Sequence, residues 1–169
     1  MKLLLHDLSA SDAGQYLSIS DKQSFQIVGP AEKSPVKCVG CFGCWIKTPG
    51  QCIIQDEYQR MGELLAKAEE VTVISRCSFG GYSSFVKNVL DRSIPYILPF
   101  FEIRKGEMHH KSRYENHLAF TSIFYGDDIT EAERETAGKL AKANALNYNG
   151  TAKSVIFVSG IEQLKGVVQ

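Results

Sequence analysis

The chain has 169 residues, of which 44% are hydrophobic and 22% are charged, an ordinary composition for one globular domain with a sizeable core. Lysine plus arginine equals aspartate plus glutamate, so no overall basic field favours nucleic acid or an anionic membrane surface. No apolar run is long enough to span a bilayer or to serve as a secretory signal. We therefore expect a single cytoplasmic domain over residues 1–169 that binds neither nucleic acid nor membrane.

The first predicted elements are two strands joined by a short crossover. Residues 3–8 and 25–28 are apolar runs with strand character. About fifteen residues separate them, which is barely enough for a crossover with one helix. We predict a strand, a shortened helix and a second strand.

The next segment, residues 36–55, holds four of the five cysteines of the chain. Their spacing is C-x2-C-x2-C-x7-C, and the four residues are Cys38, Cys41, Cys44 and Cys52. Closely spaced cysteines followed by a more distant one are typical of iron-sulfur ligands. Free or redox-active thiols and a zinc site are the alternatives, and disulfides fit least because the chain has no secretory signal.

Helices and strands alternate after this cysteine loop. Asp56 is predicted to cap a helix that runs to Ala68, and the β-branched residues 71–75 are predicted to form the central buried strand. After a loop with two glycines, apolar residues at helical spacing predict a helix over residues 85–94.

Residues 95–117 have no clear periodicity and carry two prolines, so we expect an irregular segment. Its aromatic side chains Tyr96, Phe100, Phe101 and Tyr114 would be costly to expose together. They either fold into the core or meet a second subunit. We predict a homo-oligomer whose interface includes Phe100, Phe101 or Tyr114.

The last predicted elements are a strand, a helix and a strand. Residues 118–125 have strand character, and Thr130 with Glu133 forms a capping box for a helix that runs to about Tyr148. Residues 155–158 are predicted to form the last strand.

This alternation predicts an α/β fold, a flavodoxin-like doubly wound five-stranded parallel sheet of order 2-1-3-4-5 with a shortened first crossover helix. In such a sheet, ligands bind outside the carboxyl ends of the strands, at the switch point between the first and third strands. Three loops meet at this rim, namely residues 9–15, 76–83 and 126–130. The cysteine loop is expected beside them.

Three stretches of the chain resemble the flavodoxin-like family of NADPH-dependent FMN reductases, and particularly its iron-sulfur flavoprotein branch. The cysteine spacing resembles the four-iron four-sulfur ligands of that branch. SRCSFGGYSSFVKNVLDRS, at 75–93, resembles the loop that holds the isoalloxazine ring and the helix after it. IFYGDDITEAE, at 123–133, resembles the fourth-strand loop near the flavin. The resemblance covers roughly residues 36–158.

The resemblance implies an oxidoreductase or electron-transfer flavoprotein that uses FMN, NAD(P)H as electron donor, and a small-molecule or protein acceptor. The cofactor contacts implied are Ser9, Ser11, Arg76, Cys77, Ser78, Phe79, Gly80, Gly81, Tyr82, Phe124, Tyr125 and Gly126. The cluster ligands implied are Cys38, Cys41, Cys44 and Cys52.

The first loop departs from the pattern of these relatives, which have a longer Ser/Asn/Gly-rich loop whose backbone amides hold the phosphate. It offers only Ser9, Ser11 and a late Gly14, so we expect FMN to bind weakly. Arg76 stands where a proline is usual. It is predicted either to face a phosphate, the flavin pyrimidine edge or a substrate carboxylate, or to pair with Asp127 or Asp128.

Two other functions fit the same sequence. One is a non-catalytic flavodoxin-like module that uses the cysteine loop to bind a metal or a protein partner. The other is a thiol redox sensor, which needs at least one exposed cysteine of low pKa.

Overall fold

The computed structural model describes residues 1–17, 19 and 24–166. The strands in this part of the chain are β1 Lys2–His6, β2 Phe25–Val28, β3 Glu70–Arg76, β4 Ile97–Arg104, β5 Glu107–Ser112, β6 Ala119–Tyr125 and β7 Thr151–Val158. The α-helices are α1 Ala10–Tyr16, α2 Gly43–Ile46, α3 Met61–Lys67, α4 Ser84–Asp91 and α5 Glu131–Asn147. Short 3-10 helices cover Ile94–Tyr96 and Ile161–Leu164. No helix in the described ranges is long and apolar enough to cross a membrane.

Five of the strands form one parallel sheet in the order β2-β1-β3-β6-β7. The strands β4 and β5 pair only with each other, so β6 and β7 are the fourth and fifth strands of the main sheet. The predicted order 2-1-3-4-5 is therefore confirmed, with β3 in the centre. The fold is the flavodoxin-like doubly wound α/β fold.

Alternating side chains of the central strands build two cores, one on each face of the sheet. Leu5 and Val73 pack on the face covered by α3, α4 and the end of α5. Leu4, Ile74 and Ile123 pack on the opposite face, beneath α1 and the last 3-10 helix. Because β3 is buried on both faces, its sequence does not alternate between apolar and polar residues. It is instead a nearly continuous run of β-branched residues.

The helix α5 begins and ends where the sequence predicts. The Thr130 hydroxyl accepts from the Glu133 backbone N–H, and the Glu133 carboxylate accepts from the Thr130 N–H, which completes the capping box. The helix ends before Asn149, whose φ is 54°. Small buried residues four apart, Ala137, Ala141 and Ala145, let the helix lie close to the sheet.

The helix predicted to start at Asp56 starts later. α3 begins at Met61, and Asp56 does not cap it. The Asp56 carboxylate instead accepts hydrogen bonds from the backbone N–H groups of Val36 and Tyr58 and from Arg92. The local spacing predicted that Asp56 caps a helix. Its carboxylate instead binds the buried Arg92, which is 36 residues away in the sequence.

The segment 95–117, predicted as irregular, contains the antiparallel β4–β5 hairpin. Its turn is the two-residue loop Lys105-Gly106, with φ values of 51° and 83°, the backbone of a type I′ turn. The Arg104 guanidinium donates to the Leu146 carbonyl at the end of α5, which anchors the hairpin to the body of the protein.

The two glycines of the α5–β7 region should respond oppositely to alanine. A Cβ on Gly150 would clash with the Leu118 carbonyl oxygen, so we expect Gly150→Ala to lower the free energy of unfolding by about 1–3 kcal/mol. A Cβ on Gly138, inside α5, would meet nothing within 4 Å. Gly138→Ala should therefore raise the free energy of unfolding by about 0.5–1 kcal/mol. Urea denaturation measures both, and equal effects would contradict the packing described here.

Candidate functional site

The Asp7 carboxylate lies at the carboxyl rim of the sheet and joins the ends of three strands. One oxygen accepts from the Arg76 backbone N–H at 2.9 Å and lies 3.5 Å from the Ser75 hydroxyl. The other accepts from the Tyr125 hydroxyl at 3.1 Å. Burial, and then the neighbouring Asp7 carboxylate, raise the pKa of Tyr125, which therefore stays a hydrogen-bond donor. Asp7 could not be recognised from the sequence, since one aspartate after a strand carries no spacing signal.

Ser9 and Ser11, the predicted phosphate ligands, are used within their own loop. The Ser9 hydroxyl caps α1 by accepting from the Asp12 N–H at 3.1 Å, and donates to the Asp12 carboxylate at 2.6 Å. The Ser11 hydroxyl lies 2.9 Å from that of Ser9. With carboxylates at Asp7 and Asp12, this end of the rim is negatively charged and repels a phosphate.

The loop after β3 makes a tight turn that holds an aromatic side chain in solvent. Ser78 and Gly81 exchange two backbone hydrogen bonds of 2.9 Å, and φ is 51° at Phe79 and 73° at Gly80. A bulky residue rarely adopts positive φ, and such strain is concentrated at functional sites. The Phe79 side chain is 96% exposed beside the rim.

A cavity of about 200 Å³ lies between this turn and the start of α5. Its lining residues are Arg76, Cys77, Ser78, Phe79, Asp128, Ile129 and Glu133. Ligand sites for drug-sized molecules are typically about 300–1,000 Å³, so this cavity suits one edge of a ring system and not a whole nucleotide.

Arg76 and Cys77 differ in what they can offer a ligand at this cavity. The Arg76 guanidinium is exposed and has no ion-pair or hydrogen-bond partner among the described residues, so pairing with Asp127 or Asp128 is not found. Cys77 is half-buried against the core residues around Phe124, and burial raises the pKa of its thiol. Arg76 is therefore the available cation at the rim.

Two of the predicted cofactor contacts lie beneath the rim. Phe124 is fully buried and stacks between Tyr82, at 5.0 Å, and Phe157, at 5.5 Å. The Tyr82 hydroxyl lies 2.9 Å from the Ser122 hydroxyl, and the Gly126 N–H donates to the Val158 carbonyl. The side chains of Tyr82 and Phe124 therefore support the turn from below.

A larger cavity, of about 520 Å³, lies between α4, α5 and the hairpin. Apolar side chains and two asparagines line it, with the Lys87–Asp91 ion pair at its edge. Its residues are Gly81, Tyr82, Lys87, Leu90, Asp91, Ile94, Ile97, His110, Leu140, Asn144, Asn147 and Tyr148. It extends along the helices, so the larger cavity and the switch point of the sheet are different places.

A buried arginine fastens the cysteine loop to α4. Arg92 is 1% exposed, and each of its five N–H groups donates a hydrogen bond. Two go to the Asp56 carboxylate, one to the Cys52 sulfur at 3.1 Å, and two to the Val36 and Ile54 carbonyls. Burial alone would lower the pKa of Arg92, but Asp56 and Cys52 raise it, so the side chain stays charged.

The four cysteines of the loop divide into two pairs. Cys38 and Cys41 are exposed, whereas Cys44 and Cys52 are buried. Burial, and then the proximity of Cys52, raise the pKa of Cys44, with smaller effects from Cys38 and Cys41. The described residues contain no group of three His, Cys, Asp or Glu side chains placed to hold one metal ion, so the loop in this conformation does not fit such an ion.

Comparisons with known proteins support the fold. No protein-family model matches the sequence, and no curated protein matches it. Three solved structures are similar: the Trp repressor binding protein of Bacillus subtilis (TM-score 0.54, 11% identity, 95% of this chain and 87% of that one), the azoreductase AzrA (0.53, 9%, 96% and 89%) and an azoreductase of Bacillus anthracis str. Sterne (0.56, 12%, 96% and 88%). At these identities the likeness shows the fold, and the iron-sulfur branch remains a prediction from the cysteine spacing.

The Asp56–Arg92 pair generates a pH-dependent prediction. Burial alone would raise the pKa of Asp56, but the hydrogen bonds from Arg92 and from the backbone outweigh burial and lower the pKa. The ion pair therefore stabilises the fold fully above the ordinary Asp pKa of about 3.9, and less as the pH falls through the lowered pKa of the folded state. We expect Asp56→Asn to lower the free energy of unfolding at neutral pH by about 3–5 kcal/mol, because it leaves a buried cation unpaired.

Urea denaturation of wild type and Asp56→Asn from pH 7 to about pH 3 tests this, and the difference between them should shrink at the acid end. Asp91→Asn is the matched control, since its carboxylate pairs with the surface residue Lys87. The control should change the free energy of unfolding by less than about 1 kcal/mol. An Asp56→Asn effect independent of pH would contradict the assignment.

Proposed function

We propose that this protein is a flavin-dependent oxidoreductase that binds FMN loosely at the carboxyl rim of its sheet. The observation that carries the proposal is the strained turn at Phe79, which stands beside the unpaired Arg76 at the switch point of a flavodoxin-like sheet. The resemblance of residues 75–93 and 123–133 to flavin loops agrees with it. Two of the structures that share the fold are named azoreductases.

The rim residues fit the ring end of a flavin better than its phosphate end. Phe79 offers an exposed aromatic face for stacking, and the turn below it is held by its two backbone hydrogen bonds. Arg76 offers a cation to an anionic part of the ligand. When bound, FMN would supply hydride and single-electron transfer between NAD(P)H and a small-molecule or protein acceptor.

Asp7 explains why binding should be loose. An FMN phosphate needs several backbone N–H groups, and the Arg76 N–H at the switch point already donates to the Asp7 carboxylate. The Ser9 hydroxyl likewise already donates to the Asp12 carboxylate. The phosphate then adds little affinity, and FMN and riboflavin should bind similarly, both in the micromolar range.

Titration of FMN and riboflavin, followed by flavin fluorescence, tests this assignment. Asp7→Asn removes the anion next to the phosphate site and should strengthen FMN binding about tenfold, while changing riboflavin binding little. Arg76→Ala should weaken FMN more than riboflavin. Asp127→Asn, which removes the same charge from an exposed position nearby, is the matched control.

Three results would argue against the proposal. FMN retained tightly through purification would contradict the effect of Asp7. Equal effects of Asp7→Asn and Asp127→Asn would mean that the phosphate lies elsewhere. No detectable flavin binding at millimolar FMN would contradict the oxidoreductase function and favour the non-catalytic module.

A second candidate function, a metal-binding or thiol-sensing module, is favoured by the cysteine loop. The spacing of Cys38, Cys41, Cys44 and Cys52 resembles four-iron four-sulfur ligation, and the pKa of Cys44 responds to the other three thiols. The Arg92 N–H donates a hydrogen bond to the Cys52 sulfur, so a cation already stands beside one of the four thiols. The exposed Cys38 and Cys41 would have to turn toward the buried pair. The same two exposed thiols supply the accessibility that a redox sensor requires.

Anaerobic reconstitution with iron and sulfide separates these possibilities. A cluster should give visible absorption and about four iron atoms per chain. Cys41→Ala should abolish both, while Cys77→Ala, outside the loop, should leave both unchanged. Wild type that stays colourless and iron-free, but reacts with peroxide at Cys38 or Cys41, would indicate the sensor.

A further inference from the structure

The exposed hydrophobic side chains of the protein are concentrated in two segments. Among the described residues, eleven large hydrophobic side chains are exposed, and eight of them lie in residues 36–46 and 100–108. Scattered single exposures are normal, but such concentration marks an interaction surface.

The two segments form one continuous surface. Phe42 stacks on Trp45 at 5.4 Å, Trp45 lies 5.2 Å from the His110 ring, and His110 lies 4.5 Å from the Phe101 ring. The Trp45 ring N–H also donates to the Ile97 carbonyl at 2.9 Å, which fixes the loop against the hairpin.

The hairpin and α2 extend this surface on both sides. Phe101 pairs with His110 across the hairpin and Ile103 pairs with Met108, and both pairs lie on one face because they are two residues apart. Ile46 is the last residue of α2, and its backbone N–H donates to the Phe42 carbonyl at 3.2 Å, so the two residues lie one turn apart. We call this the loop–hairpin surface, formed by Phe42, Trp45, Ile46, Phe101, Ile103 and Met108.

The loop–hairpin surface is as large as a dimer interface needs. Phe42, Ile46, Phe101, Ile103 and Met108 are 56%, 77%, 57%, 67% and 68% exposed. At about 200 Å² for each whole side chain, they present roughly 600 Å². A specific dimer buries about 800 Å² per partner, of which roughly 65%, or about 500 Å², is apolar.

We propose that a second copy of this chain covers the loop–hairpin surface in a two-fold symmetric dimer. A two-stranded sheet is marginally stable by itself, and neither β4 nor β5 pairs with a third strand in the described structure. Their open edges and shared apolar face are self-complementary under a two-fold axis. Charges of both signs flank the face, with Glu107 beside Lys105, so no single-sign field opposes self-association.

The proposed dimer requires neither flavin nor metal, and it changes the accessibility of a thiol in the cysteine loop. Cys41 is exposed in the single chain and adjoins Phe42. In the dimer its thiol lies at the interface, so its reaction with a maleimide should slow as protein concentration rises. Cys77, in the loop after β3 and outside the loop–hairpin surface, should react at a rate that does not depend on concentration.

Analytical ultracentrifugation at micromolar concentrations tests the dimer. Wild type should sediment at twice 18.8 kDa. The double variant Phe101→Thr/Ile103→Thr keeps β propensity but removes apolar area, and should weaken dimerisation at least tenfold with an unchanged circular dichroism spectrum. Ile27→Thr, an exposed hydrophobic on the edge strand β2, is the matched control and should remain dimeric.

A loop variant tests whether the two segments act together. Phe42 has φ of 56°, which asparagine tolerates, so Phe42→Asn removes the ring and keeps the backbone. It should also weaken the dimer. Monomeric wild type at high micromolar concentration, a hairpin variant that still dimerises, or a monomer that binds anionic lipid vesicles through this surface would each overturn the proposal.

Discussion

The position of the cysteine loop depends on one buried guanidinium. Arg92, at the end of α4, has all five of its N–H groups bonded, and four of them go to Asp56, Val36 and Ile54, which lie within or next to the loop. A buried charge that lost these partners would carry a large desolvation penalty, so the loop can leave only at high cost. The fifth bond, to Cys52, places a thiol in the same network. Both ends of the cysteine loop are therefore anchored to α4.

A second charge of opposite sign, the Asp7 carboxylate, lies at the carboxyl rim of the sheet. Asp7 takes the N–H of Arg76 and the hydroxyl of Tyr125, so the strand ends are held together by an anion that belongs to the chain. Ligands of doubly wound sheets bind outside this rim, and under the function proposed above that carboxylate would give the rim a preference for a neutral ring over an anion. The exposed Phe79, held in strained backbone, is consistent with that preference.

The loop–hairpin surface and the larger cavity meet at His110. Its ring contacts Trp45 and Phe101 on the surface, and the residue also lines the cavity between α4 and α5. In the proposed dimer, the second subunit would therefore lie next to the cavity. The hairpin thus contacts two features that are far apart in the sequence, the cysteine loop and the end of α5.

Local patterns in the sequence determined the strands of the parallel sheet and the capping box at Thr130, because periodicity and caps depend on near neighbours. They also marked the loop with two glycines that contains the turn at Phe79. The strand order followed from the alternation of strands and helices and from the rules for crossovers between parallel strands. The hairpin was missed because its alternation mixes histidine and charged residues. The roles of Asp7, Asp56 and Arg92 were decided by tertiary structure alone. Asp56 and Arg92 are 36 residues apart, and Asp7 and Tyr125 are 118 apart, so only the folded chain brings these charges to their partners.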